Sequence, residues 1–323
     1  MFPNRPLTHS FNRIFRIFGA CLVFVWIIFL IHSRNSTRIQ QPIQNLELSR
    51  AVPSSSSVSS MFDVAIVILV TAQPNDISDL KRCIRSIQLA LPRSQAPILI
   101  FHEGDFSSII INDLQKFKSQ TSFLGIMKFF QIELKLPIGC CQFEPNWSKR
   151  TKFGYHNMIR FWIKDVWLHP EIRKFRNVMR LDSDSWIDQI QPETDNLPSI
   201  PDTIMYRSNR IDNDGMPFID QIVTFVQSNR LQPKNPSMLK SFFDFYKSQG
   251  RVPILFNNFF VSKVKLFMSS QVREFVDSIC CTPPFYLYRY RWGDAIVHYL
   301  IVAFFVKPSE FEIKPPVGYH HGG

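Results

Sequence analysis

Two carboxylates stand one residue apart in "MRLDSDSWID", residues 179–188. Asp182 and Asp184 follow a run, Phe175 to Leu181, that reads as a buried strand. In an extended segment alternate side chains point the same way. Asp182 and Asp184 then share one side while Ser183 takes the other. Carboxylates crowded together repel unless a cation stands beside them. A hard divalent ion with oxygen ligands, Mn²⁺ or Mg²⁺, is the economical partner. The run is not a calcium-binding EF-hand loop, because Trp186 and Ile187 fill its third acidic and glycine positions. A solvated turn or a helix cap gives the same Asp-x-Asp spacing, so the metal reading rests on the surroundings.

A second constellation lies in "RYRWGDAIVHYL", residues 289–300. A helix opening at Gly293-Asp294 puts Asp294 and His298, four apart, on one face. Arg291 stands just before them. A carboxylate, an imidazole and a guanidinium are thus offered together. The plainer alternative is that Asp294 caps the helix and His298 is a satisfied core histidine.

Particular elements must hold these groups. "DVAIVILVT", residues 63–71, is a continuous apolar run of the kind buried on both faces of a parallel sheet. Asn75 or Asp76 is suited to cap a helix after it, and Leu80, Cys83, Ile84, Ile87 and Leu91 recur at helical spacing. "APILIF", residues 96–101, supplies the next strand and completes a βαβ unit. Ligands of such sheets sit beyond the carboxyl ends of the strands. Residues 152–167 read as a helix ending before His169-Pro170. Residues 202–209 read as a strand, 216–226 and 237–249 as helices, and 293–306 as a buried helix too short to span a membrane.

The chain has 323 residues, 45% hydrophobic and 14% aromatic, enough for a sizeable core. Lys and Arg number 37 against 26 Asp and Glu, a formal charge of +11 that suits anionic partners. The basic residues are scattered rather than gathered into a stripe, so nucleic acid is not expected. Residues 17–31, "IFGACLVFVWIIFLI", carry no charge. Ile14 and Phe15 extend the run toward the length of a membrane span, with Arg16 snorkelling to the headgroups. No clear cleavage site follows Ile31, which favours an uncleaved signal anchor over a signal peptide. The expected organisation is a cytosolic tail (1–16), a transmembrane helix (17–31), a flexible Ser-rich stem (32–60) and a luminal body (61–323). Two sequons, at Asn35 and Asn146, are compatible with a lumen-facing body. Cys140-Cys141 and Cys280-Cys281 lack zinc-site spacing and suit buried thiols or disulfides between the pairs.

"YHNMIRFW", His169-Pro170, "MRLDSD", "RWGDAIVH" and, with less specificity, "VGYHH" at 317–321 occur in this order. In this they resemble the fungal α-1,2-mannosyltransferases, glycosyltransferase family 15, over roughly residues 62–321. The resemblance implies an α/β, GT-A-like fold with a mixed, mostly parallel sheet flanked by helices. It implies a type II Golgi membrane enzyme that uses Mn²⁺ and transfers mannose from GDP-mannose to a glycan of a glycoprotein or glycolipid with retention. It places Asp182, Asp184 and His298 at the metal. Tyr155 and Arg160 fall on a donor-site helix, with Tyr155 near the chemistry. Asp294 becomes a polar contact or base near the acceptor, and Arg180 and Arg291 are expected beside the nucleotide.

One position departs from the family. Where it carries Ser-Asn-Phe-Glu, this chain reads Asn257-Asn258-Phe259-Phe260. A phenyl ring cannot form a glycosyl ester or stabilise an oxocarbenium ion as a carboxylate does. Transfer by front-side attack, another acid in its place, a silent sugar-nucleotide-binding relative and a hexosyltransferase with a different donor all stay open.

Overall fold

The computed structural model describes residues 64–91, 94–121, 124–140, 152–187, 204–211, 219–290, 292–313 and 318–322. The expected tail, anchor and stem, both sequons, Cys141 and Arg291 lie outside them. No helix among the described residues is long and apolar enough to cross a membrane.

β1 (Val64–Leu69), α1 (Pro74–Ala90) and β2 (Ile98–His102) form the expected βαβ unit, with β1 and β2 parallel. Successive β1 residues enter different cores: Ala65 and Val67 join one cluster, Val64, Ile66 and Ile68 the other. That is why the run is apolar without alternation. The start of α1 differs from expectation. Neither Asn75 nor Asp76 caps it; Gln73 is the N-cap without a side-chain bond, and Pro74 opens the helix. Proline suits that position because its missing N–H would have no partner there.

The seven-stranded sheet has the order β3-β2-β1-β4-β7-β6-β8. β3 (Met127–Gln131), β4 (Asn177–Leu181) and β8 (Phe311–Ile313) pair in parallel with β2, β1 and β6 (Ile204–Ile211). β7 (Pro253–Lys263) is inserted antiparallel between β4 and β6. The sheet is therefore mixed and mostly parallel. A separate two-stranded ladder pairs β5 (Ser185–Ile187) with β9 (Tyr319–His321).

α2 (Ser108–Ser119) follows β2. α3 (Lys152–Arg160) runs through a π-helical turn, Phe161–Asp165, into a last turn at Val166–Leu168. α4 (Ile219–Ser228), α5 (Pro236–Gln249) and α6 (Ser270–Cys280) precede α7 (Asp294–Phe305). Every residue of α7 except Ala295 is buried, as its mostly apolar sequence requires, and Asp294 and His298 are buried with it.

Candidate active site

β4 delivers Arg180 and the acidic pair to the carboxyl end of the sheet. Beyond Leu181 the chain does not stay extended. The Asp182 carbonyl accepts from Ser185 N at 3.0 Å, closing a turn that starts β5. Asp182 and Asp184 therefore straddle a turn rather than project from one side of a strand. The β5–β9 register sets Ser185 opposite His321. Oxygens of Asp182 and Asp184 and a ring nitrogen of His321 lie within 4.8 Å of one another.

Each carboxylate has a distinct setting. Asp182 accepts from Arg180 Nε at 2.9 Å and Asn258 Nδ2 at 2.7 Å. Burial pushes its pKa up while Arg180 opposes the shift. Asp184 lies 3.1 Å from His321 Nδ1, and that contact holds its pKa down. Asn258 Nδ2 also stands 2.8 Å from His321 Nε2, linking β7 to β9. Ser185 Oγ meets the Tyr319 hydroxyl at 2.7 Å, fixing β9 from its buried side. On the outer side Trp186 stacks on His320, and Arg82 of α1 lies 4.0 Å over the Trp186 ring.

Arg180 joins the two constellations. It is 3% exposed, donates to Asp182 and places Nη1 2.7 Å from Asp294 Oδ2. Its guanidinium lies 4.1 Å over Trp162. Burial alone would raise the Asp294 pKa, but Arg180 holds the carboxyl below its ordinary value. Asp294 is therefore an anion tied to a cation. It does not cap α7; Gly293 is the N-cap, and the Asp294 carboxylate accepts from the adjacent Ala295 N.

The other sequence-selected residues are placed as follows. His298 is fully buried, with Nδ1 2.6 Å from the Tyr206 hydroxyl. Burial pushes its pKa down to about 3, so it is neutral at physiological pH. The imidazole brought to the carboxylate pair is thus His321, and His298 packs in the core. Tyr155 is exposed on α3, its ring edge-on to His156. Arg160 donates to Asp165 at 2.8 Å on the same helix. Phe260 pairs with Arg180 across β4 and β7 and is fully buried. Its ring lies against Tyr206, Trp167 and His298.

Sequence reasoning did not single out Asn258, Ser185 or Tyr319, nor His321 as a metal ligand. The available signal was the Gly-Tyr-His-His run itself, whose alternation puts Tyr319 and His321 on one side of a strand.

Residues 141–323 match the profile of a family described as glycolipid 2-alpha-mannosyltransferase. The probable mannosyltransferase KTR3 of Saccharomyces cerevisiae is 22% identical over 182 residues, 52% of this chain and 42% of that protein. The matched part thus spans about two-fifths of that relative's length. Among solved structures, the fold resembles Ktr4p of S. cerevisiae with a TM-score of 0.65 at 19% identity, covering 87% of this chain and 76% of that one. It resembles core-mannan synthase A of Aspergillus fumigatus, in a Mn/GDP form, with a TM-score of 0.62 at 15% identity, covering 83% and 76%. At these identities the likeness shows the GT-A-like fold. The profile match extends over more than half the chain, from just before α3 to the His321 strand, and the chain belongs to the glycolipid 2-alpha-mannosyltransferase family.

Proposed function

We propose that this protein is a metal-dependent glycosyltransferase that moves mannose from GDP-mannose to a glycan of a glycoprotein or glycolipid, with retention. The observation that carries the reading is the Asp182–Asp184–His321 cluster at the carboxyl end of β4. Two carboxylates and one imidazole suit Mn²⁺, or Mg²⁺ with less preference for the nitrogen. Such an ion, when bound, neutralises a diphosphate and makes it a better leaving group.

The chain's own residues do the rest. Arg180 and Asn258 each hold one oxygen of Asp182 and so fix the orientation of its carboxylate. Asp294, kept ionised by Arg180, accepts a hydrogen bond and orients a hydroxyl. Its low proton affinity suits that role better than general-base work. His298 is too buried to exchange a proton with an acceptor. With Phe260 in the core, this site offers no carboxylate at that position, and front-side attack within an ion pair becomes the retaining route. Arg160, Arg291 and Tyr155 remain candidates for donor contacts.

The cellular setting belongs to the same proposal: a single-pass type II Golgi protein, with 1–16 cytosolic, 17–31 in the membrane, 32–60 a stem and 61–323 luminal. The apolar run at 17–31 and the Ser-rich stretch after it support this.

A second reading has one observation in its favour. Phe260 fills an aromatic cluster where family resemblance calls for a carboxylate, as a silent nucleotide-binding relative would allow. Calorimetry with GDP and Mn²⁺, paired with donor consumption across a panel of sugar nucleotides, separates the two. An active enzyme binds GDP only with metal, consumes GDP-mannose, and loses both with Asp184→Ala or His321→Ala. Metal-dependent GDP binding with no donor consumed selects the silent relative. GDP binding unaffected by a chelator overturns both.

A further inference from the structure

A second cluster, at the C-terminus of α6, plays no part in the proposed transfer. The helix ends with Cys280, fully buried, and Cys281 at the C-cap, half-buried. The two Sγ atoms stand 3.3 Å apart and are not bonded, so both are thiols, one of the two states the sequence allowed. The π-helical turn 161–165 carries Lys164 across to them. Lys164 Nζ lies 3.1 Å from Cys281 Sγ and pairs with the Asp277 carboxylate.

The neighbouring thiols are driven apart. Cys281 and burial push the Cys280 pKa up. Hydrogen bonds from Cys280 and Lys164 hold Cys281 down at about 7 against burial and Asp277. Arg160 is a further cation near Cys281, and Tyr288 faces Cys280 and Cys140. A helix C-terminus carries the negative end of the dipole and disfavours a thiolate. The hydrogen bond from Cys280 and the contact and charge of Lys164 together outweigh it, and Lys164 is the cation among them. Cys83, fully buried with its pKa pushed up, is the inert contrast.

We propose that Cys281 is a nucleophilic thiolate primed by Lys164, a modification site for low-molecular-weight disulfides such as oxidised glutathione. The thiolate attacks one sulfur of the disulfide. A new S–S bond forms to Cys281 and the original S–S bond breaks. The other half leaves as a thiolate that takes a proton from water. Cys281 is oxidised and the departing thiol is reduced, so the exchange balances without another reagent. Cys280 stays protonated and shielded, and donates the hydrogen bond that favours the Cys281 anion.

The full chain is treated with oxidised glutathione between about pH 5 and pH 9, and adducts are followed by intact mass and peptide mapping. The first adduct is expected at Cys281, with a half-maximal rate near pH 7. Cys281→Ser removes it. Lys164→Met slows it about tenfold at neutral pH and moves the midpoint toward the ordinary thiol value of about 8.5. Lys164→Arg keeps the charge and restores the lower midpoint. A first adduct at another cysteine, or an unshifted midpoint in folded Lys164→Met, overturns the proposal. Should Lys164→Met fail to fold, the native chain decides: a midpoint near about 8.5 overturns it equally.

Discussion

A guanidinium as buried as that of Arg180 is tolerable because two carboxylates face it from different elements. Removing one partner of such a group leaves uncompensated charge behind. Arg180→Met should cost about 3–5 kcal/mol in urea unfolding, by stranding Asp182 and Asp294. Asp294→Asn, which leaves Arg180 its pair with Asp182, should cost about 1–3 kcal/mol. An Arg180→Met midpoint equal to the native one would show the bridge to be energetically idle. His298 gives a pH dependence. Its folded pKa is about 3 against 6.5 for the free group. Between these values the unfolded chain binds more protons, so stability falls as pH drops through that window and returns as pH rises. The full loss is up to about 5 kcal/mol. His298→Phe should flatten this slope in unfolding curves taken across the window, and an unchanged slope would refute the assignment. That Asp182 and Asp184 stand together beyond a buried strand was legible from the apolar run that ends at them. Which imidazole joins them was not, because Asp294 and His298 share the i,i+4 spacing of any face of a buried helix.

At the scale of elements, β1, α1 and β2 were readable because burial on both faces leaves an unbroken apolar run. β7 was not read as a strand. Its Asn257-Asn258 interrupts the apolar pattern, and only its antiparallel place beside β4 explains them: Asn258 binds Asp182. β9 escaped for a different reason. It has three residues, too few for the Gly-Tyr-His-His alternation to stand out, and Ser185 and Tyr319 meet across 134 positions. Variants in this strand can separate holding the site from the proposed ligation. Tyr319→Ala opens a cavity under β9 and should cost about 3–5 kcal/mol in stability and weaken Mn²⁺ binding too. His321→Ala, on an exposed position, should leave the unfolding midpoint within about 0.5 kcal/mol while Mn²⁺ binding by calorimetry is lost. Equal effects of the two variants on stability would contradict that division.

At the scale of the whole molecule, the proposed anchor and stem make a prediction about orientation. Protease added to sealed microsomes should spare the body and remove only a short N-terminal tail; loss of the body without detergent would place it in the cytosol. The surplus of 11 positive charges bears on the nucleotide instead. A diphosphate approaching a basic protein is steered by a field that salt screens over about 8 Å at physiological ionic strength. The association rate for GDP, measured by stopped flow, should therefore fall as salt is raised, while dissociation changes less. Salt-independent association would mean that the scattered cations do not sum at the site.

The pairing of Ser185 with His321 spans 136 positions, and this has a consequence for biosynthesis. Chains are made from the N-terminus and begin to fold during synthesis. β1, β2 and β4 are all complete when Asp184 leaves the ribosome, whereas Asn258 and then His321 follow much later. For that interval the nascent protein carries two neighbouring carboxylates with neither amide nor imidazole beside them. β9 is the last element to be synthesised, so its pairing with β5 cannot precede the end of the chain. On the proposed metal reading, premature capture of an ion by an unfinished chain would engage only two of the three ligands, and the complete set is reserved for a protein whose synthesis has passed His321.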